Sequence, residues 1–342
     1  MKAQEYILAK LSELKKPLSL ATVPAEDLER EIVRYILSKK FRKYSIAESV
    51  RNRIESAVHE CVTAGKPIQA VTIFGGYKLW RLDESPETDW AELFTLMYYI
   101  KWLKPICEIY KPGVWLDFFS DDVIVPIINN IPVQDLEKYR ASFNELLSFL
   151  KQYQPKNLSI TLTRVGDQYK NHDEFLADLT AQKKELELSL DGGLPKLDGE
   201  PDPTKSTGEA YHGAPTSRTK DTIDLNVKAT PKQKQDQFWR EKVLLTHDAY
   251  MLVKGRRPYY QVPDKFDFLT GRLEGRLVLG STKNSTMKFW IGVGVLLKNG
   301  ETYQPTVLSP NQLSRSEFDI EEVQIDGLAG KNFSKIRLIN KQ

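Results

Sequence analysis

The alternation of short strand-like runs with long amphipathic segments between Ile68 and Thr163 constrains this chain more than any other feature. IQAVTIF (68–74), VWLDFF (114–119) and LSITLT (158–163) each have the character of a buried strand. From about Asp89 to Tyr110, Leu93, Met97, Ile100 and Leu103 recur at helical spacing, with Thr88 or Asp89 placed to cap the start. A second helical pattern runs from Val133 to Tyr153. Gly65-Lys66-Pro67 and Pro112-Gly113 supply breaks before the first two strands. Strand, helix, strand, helix, strand is the order of a parallel sheet covered by helices. The predicted fold class is α/β, a Rossmann-like sheet with flanking helices and a β-rich C-terminal portion.

On either side of this unit the pattern changes. Residues 26–64 read as helix, with Asp27 opening a turn, Leu28, Ile32, Tyr35 and Ile36 on one face, and Ile46 to Val62 repeating the period. From Ser189 to about Gln235 the chain is rich in Gly, Pro, Thr, Asp and Lys and poor in aliphatics, the composition of a linker or of a lid over bound substrate. KQKQDQFWREKVLLTHDAYMLV then reads as helix, followed by strand-like GRLEGRLVLG, MKFWIGVGVLLKNGETYQPTVL and KIRLI. Asn299-Gly300 marks a hairpin. The expected organisation is 1–188 for a helical N-terminus plus an α/β catalytic core, 189–235 for a flexible linker or lid, and 236–342 for a helix plus a β-rich portion completing the core.

Charge and motifs exclude several function classes. Lys+Arg 49 against Asp+Glu 46 leaves a net charge of +3, far from the strongly basic face of a dedicated nucleic-acid binder. Cys61 and Cys107, both in apolar helical surroundings, read as buried thiols. The first residues, MKAQEYILAKLSELKK, lack a signal-peptide core, and no run approaches the roughly 20 apolar residues of a membrane helix. A cytoplasmic protein without a membrane partner is expected. GxGxxG, the P-loop, HExxH, CxxC and GxSxG are all missing, so the sequence supports neither dinucleotide, zinc nor α/β-hydrolase chemistry. Of His59, His172, His212 and His247, only His247-Asp248 forms a suggestive pair.

Open α/β sheets bind ligands beyond the carboxyl ends of their strands. That rule selects Gly75-Gly76-Tyr77-Lys78-Leu79-Trp80-Arg81 after the first strand. Its glycines let the backbone approach a ligand, while Lys78 and Arg81 offer donors to phosphate or carboxylate. It also selects Ser120-Asp121-Asp122, whose carboxylates can share a proton or cap the next helix. Asp89 and Glu92, three apart, lie on one face of a helix start, where an N-terminal cap is the simpler reading. Lys254-Gly255-Arg256-Arg257-Pro258-Tyr259-Tyr260 reads as a solvated basic loop or as a grip on phosphate or RNA. Gly280 to Thr286, with Lys283, reads as an anion-binding turn or a hairpin loop.

Taken in order, these segments resemble the pyoverdine/dityrosine biosynthesis family, the isocyanide (isonitrile) synthases. The corresponding stretches are GGYK with Lys78, DWAE with Asp89 and Glu92, YKPG (Tyr110 to Gly113), SDD (Ser120 to Asp122), THDAYM around Ala249 and Tyr250, and RLVLG with Arg276. The resemblance spans most of residues 30–165 and, more weakly, 232–297. It implies condensation of an amino acid's α-amine with ribulose 5-phosphate in secondary metabolism, with neither metal nor nicotinamide as cofactor. Lys78 and Arg276 would then bind or polarise anionic substrates. Asp89, Glu92, Asp121 and Asp122 would hold the amine or move protons, and Tyr77, Arg81, Ser120 and Lys283 would line the substrate. Three departures stand out: Gly280 where the family has a strand histidine, Gly75-Gly76-Tyr77 for an aromatic-Pro-aromatic loop, and Asp122 for a glycine. A more acidic site suits a different, cationic substrate. Two other readings stay open, an aminoacyl-tRNA-dependent, peptide-bond-forming (cyclodipeptide-type) synthase and a non-catalytic binding protein on the same fold. The sequence leaves the oligomeric state unknown.

Overall fold

The computed structural model describes residues 1–20, 22–38, 48–74, 85–120, 124, 126, 132–164, 169–189, 249, 266–267, 292–308 and 310–340. The three predicted strands are present as β1 (Ile68–Phe74), β2 (Val114–Ser120) and β3 (Leu158–Arg164). They are parallel and in register, Ile68 opposite Val114 and Val114 opposite Leu158. A two-residue strand, β4 (Phe266–Asp267), pairs with the other side of β1 at Ala70 and Val71. The sheet order is therefore β3-β2-β1-β4. The strand direction of succession reverses between β1 and β4, the kind of switch point beside which open α/β sheets hold their ligands.

Helices α1 (Ala3–Lys15), α2 (Leu28–Ile36) and α3 (Glu48–Thr63) precede the sheet, and α4 (Trp90–Ile109) and α5 (Val133–Leu150) form its crossovers. The helix expected across 26–64 is thus two helices. Leu37 closes α2, its N–H bonding back to Val33 O at 2.9 Å, and α3 begins at Glu48. Asp27 does not cap α2 through its side chain. Its carboxylate instead pairs with Arg30 at 2.8 Å, one turn on. His59 reaches from α3 to Glu29 on α2 at 3.0 Å. A further helix, α6 (His172–Ser189), ends where the polar stretch begins.

The two faces of the parallel sheet differ in chemistry. Ile68, Ala70, Val114, Leu116, Phe118, Leu158 and Ile160 share one face by register, and all are buried in one apolar cluster with Val58 of α3, Ile100 of α4 and Phe143 of α5. Phe118 meets Tyr99 and Phe143 edge-on at 5.5 and 5.3 Å, clamping both crossover helices to the sheet. A side chain so buried contributes about 1.5–3 kcal/mol. At Gly113 the turn into β2 adopts φ +77°, and an added Cβ would lie 2.7 Å from Asn157 Cβ and overlap the Asn157 carbonyl. Only glycine suits that turn.

The second sheet has order β6-β5-β8-β7, from β5 (Val293–Asn299), β6 (Thr302–Leu308), β7 (Asp319–Glu322) and β8 (Lys335–Asn340). β5 and β6 form the predicted hairpin, Asn299 opposite Thr302, with Gly300 at φ +59°. β8 runs parallel to β5 and antiparallel to β7. The inner face of this sheet, with Leu296, Val307, Ile336 and Leu338, joins the same apolar cluster as α4. A short helix, α7 (Pro310–Ser314), follows β6. Leu313 packs with Val293, Val295 and Ile339 on the outer face.

Both cysteines are buried, as their surroundings predict, and burial pushes the Cys107 thiol up to about 12. Burial likewise pushes the phenols of Tyr6, Tyr35 and Tyr98 up to about 12. A phenol ionises near 10 in an unfolded chain. The folded state therefore gains stability from these three below about pH 10 and loses it between about pH 10 and 12. Denaturant midpoints measured across that window should fall with rising pH. Phenolate absorbance should show a late-titrating group that appears only as the protein unfolds.

Candidate functional site

Parallel register brings the last residues of β1, β2 and β3 side by side, Phe74 opposite Ser120 and Ser120 opposite Arg164. Both loops selected from the sequence therefore leave the sheet at one edge, from neighbouring strands. Tyr77, Lys78, Arg81, Asp121, Asp122, Arg276 and Lys283 lie outside the described residues. So do Lys254 to Tyr260, His212, His247 and the stretch 190–235. Asp89, Glu92 and Ser120 are described, and all three are buried.

α4 runs back from this edge, so its N-terminus sits at the carboxyl ends of the strands. Asp89 is its N-cap and accepts the N–H of Ala91 at 2.7 Å. Glu92 reaches back to accept the N–H of Asp89 at 2.8 Å, completing a capping box. The other oxygen of Glu92 accepts the Tyr139 hydroxyl of α5 at 2.7 Å. With Asp89 at 3% and Glu92 at 0% exposure, the box is internal to the protein. Side chains have thus taken the backbone donors that would otherwise make a helix start attractive to an external anion. The capping reading of this pair is realised. A chemical role for either carboxylate comes on top of a structural one.

The same helix start joins the three layers. Thr88 N–H donates to Ser142 Oγ of α5 at 3.0 Å, and the two hydroxyls lie 2.5 Å apart. Asn332 donates to Ser85 Oγ and Thr88 O. The Trp90 indole N–H donates to Lys335 O of β8 at 2.6 Å, and its ring meets Phe333 edge-on at 5.3 Å. β5 approaches so closely that a Cβ on Gly294 would lie 2.5 Å from Trp90 Cβ and overlap Ala91 N. Further along the edge, Arg164 at the end of β3 and Arg140 of α5 share Glu137, with Arg164 at 3.4 Å.

Sequence reading overlooked a second polar group, Asp117. It stands in the middle of β2 and is only 1% exposed. Its Oδ1 accepts the hydroxyls of Thr161 at 2.5 Å and Thr163 at 3.0 Å, both on β3. The Trp115 indole N–H donates to Thr161 Oγ1 at 2.8 Å, directing the Thr161 proton to the carboxylate. The signal was there to be found, since a carboxylate inside an otherwise apolar strand needs a reason. Among the described residues no group of His, Cys, Asp and Glu has the arrangement of a metal site, and no helix is long and apolar enough to cross a membrane.

One solved structure similar to this chain is the crystal structure of the PvcA protein from Pseudomonas aeruginosa. The two share 15% identity and superpose with a TM-score of 0.57, over 92% of this chain and 99% of that one. The likeness establishes a common fold through nearly the whole of both chains. No protein-family model and no curated protein matches the sequence.

Proposed function

We propose that the chain is an isocyanide-synthase-like enzyme of secondary metabolism that condenses the α-amine of an amino acid with a sugar phosphate, ribulose 5-phosphate. One observation carries the reading: a buried carboxylate pair, Asp89 and Glu92, is built into the helix start at the carboxyl edge of a parallel sheet. The ordered motifs around that pair and the PvcA-like fold point to the same group of proteins. Addition of an amine to a ketone carbonyl, followed by loss of water, needs one group to take the ammonium proton and another to protonate the departing oxygen. Asp89, Asp121 and Asp122 are assigned to proton transfer and to holding the amine, and Lys78 to binding or polarising the anionic substrate. Glu92, with both oxygens committed, positions Asp89. Tyr77, Arg81, Ser120, Arg276 and Lys283 are assigned to the substrates, the cations among them to phosphate and carboxylate.

Purified protein incubated with a panel of amino acids and ribulose 5-phosphate should release an isonitrile detectable by mass. Silence across the whole panel would end this reading. Copurification of tRNA at low salt would favour the peptide-bond-forming alternative.

A further inference from the structure

Among the described residues the two sheets end on β3 and β4 and on β6 and β7. Terminal strands offer backbone donors and acceptors to any extended chain, and proteins blunt them with proline, charge or brevity. β4 is two residues long. β6 carries Pro305 at its middle. β7 carries Asp319, Glu321 and Glu322 within four residues. β3 has none of these devices. It runs seven residues, LSITLTR, without proline, and its one charge is the final Arg164.

The direction of its open groups follows from the ladder. Val114 N–H of β2 donates to Asn157 O, just before β3. Along a strand, groups turned to one neighbour alternate with groups turned away. Ser159, Thr161 and Thr163 therefore bond to β2, while Leu158, Ile160 and Leu162 turn outward. Leu158 is satisfied locally: its N–H bonds to Pro155 O at 3.1 Å, and its C=O accepts the Gln154 amide at 2.7 Å. Among the described residues no such partner takes the outward groups of Ile160 and Leu162. Ser159 is exposed and Thr161 to Arg164 are half-buried, so solvent reaches this edge.

We propose that β3 is a dimer interface, pairing antiparallel with β3 of a second copy of this chain about a twofold axis at Thr161. The occupant is a second copy because the strand complements itself. Pairing about that axis sets Ile160 opposite Leu162 of the partner subunit, so each open residue gives and takes a bond. Thr161 meets its own counterpart, and Ser159 meets Thr163 of the partner subunit. Hydroxyl pairs of that kind stabilise antiparallel ladders. Arg164 falls opposite Leu158 of the partner subunit, and no like charges meet. The same pairing through β7 would bring its carboxylates together. A twofold contact of this kind uses each edge once and stops at two chains. It points the carboxyl edges of the two copies in opposite directions, and it does not depend on the reaction proposed above.

Light scattering of the full chain should give a mass approaching twice that of a single chain as concentration rises, and none larger. Leu162→Pro removes an N–H that points away from β2, so it should weaken dimerisation roughly tenfold or more while the fold is kept. Leu162→Lys puts a charge on the same edge and should do likewise if the proline variant does not fold. Thr161→Cys places two thiols face to face on the axis, within the span of a disulfide, and mild oxidation should give a covalent dimer. Ser159→Cys lies off the axis and should not cross-link. Cys61 and Cys107 are buried and supply no competing thiol. A wild type that stays monomeric at every concentration overturns the proposal, as do assemblies larger than two chains. So does a dimer that folded Leu162→Pro or Leu162→Lys protein forms as tightly as wild type, or one that cross-links through Ser159→Cys and not through Thr161→Cys.

Discussion

Gly294→Ala is expected to destabilise the protein by about 3–5 kcal/mol, or to prevent it from folding, as measured by denaturant unfolding of the soluble fraction. The new methyl would meet the backbone of Trp90 and Ala91, which no change of rotamer can move aside. Overpacking typically costs about 1–3 kcal/mol where side chains can shift, and more where they cannot. A total stability of roughly 5–15 kcal/mol leaves little margin for such a loss. Because the contact lies on the helix start that carries Asp89 and Glu92, any folded Gly294→Ala protein should also lose ligand binding. A wild-type unfolding midpoint would show that β5 does not lie against α4 as described.

Glu92→Ala should cost about 2–6 kcal/mol, because it leaves the Asp89 N–H and the Tyr139 hydroxyl buried without this acceptor, at about 1–3 kcal/mol each. Tyr139→Phe removes the donor instead of the acceptor and should cost about 1 kcal/mol. The double variant should be no worse than Glu92→Ala alone, since the two share one interaction. Strict additivity in that cycle would separate Tyr139 from Glu92. Glu92→Gln keeps the shape and one carbonyl acceptor, so it should fold better than Glu92→Ala. If Glu92 acts only through the helix start, the losses of activity across these variants will track their losses of stability.

The core of the fold was legible because its signals are periodic. Leu93, Met97, Ile100 and Leu103 mark α4, and three short, largely apolar runs mark the strands; burial of Ile68, Ala70, Val114, Leu116, Phe118, Leu158 and Ile160 against α4 is what holds the layers together. Pro112-Gly113 and Asn299-Gly300 announced turns whose glycines have positive φ. The break between α2 and α3 was not legible, because Leu28 to Ile36 and Ile54 to Val62 keep the same spacing on either side of it. The site was readable only in part. Asp89 and Glu92 stand at capping distance whatever else they do, so spacing alone could not show that the box is buried and bonded to Tyr139 of another helix. Asp117 was hidden for the opposite reason: inside VWLDFF its neighbours dominate the pattern, and its partners Thr161 and Thr163 lie over forty residues away.

β8 has a consequence for biosynthesis. It lies between β5 and β7, and its first residue, Lys335, also receives the Trp90 indole. As the polypeptide emerges from a ribosome, the β5–β6 hairpin and β7 are made first and must wait with open edges facing the gap that β8 will fill. Unpaired edges of that kind invite pairing with other nascent chains. The N-terminal layers can begin to assemble early. The hydrogen bond that ties the start of α4 to the second sheet closes only after residues 335–340 have been translated, so the helix start stays unfastened on that side until the β5–β6 hairpin and β7 have already been made.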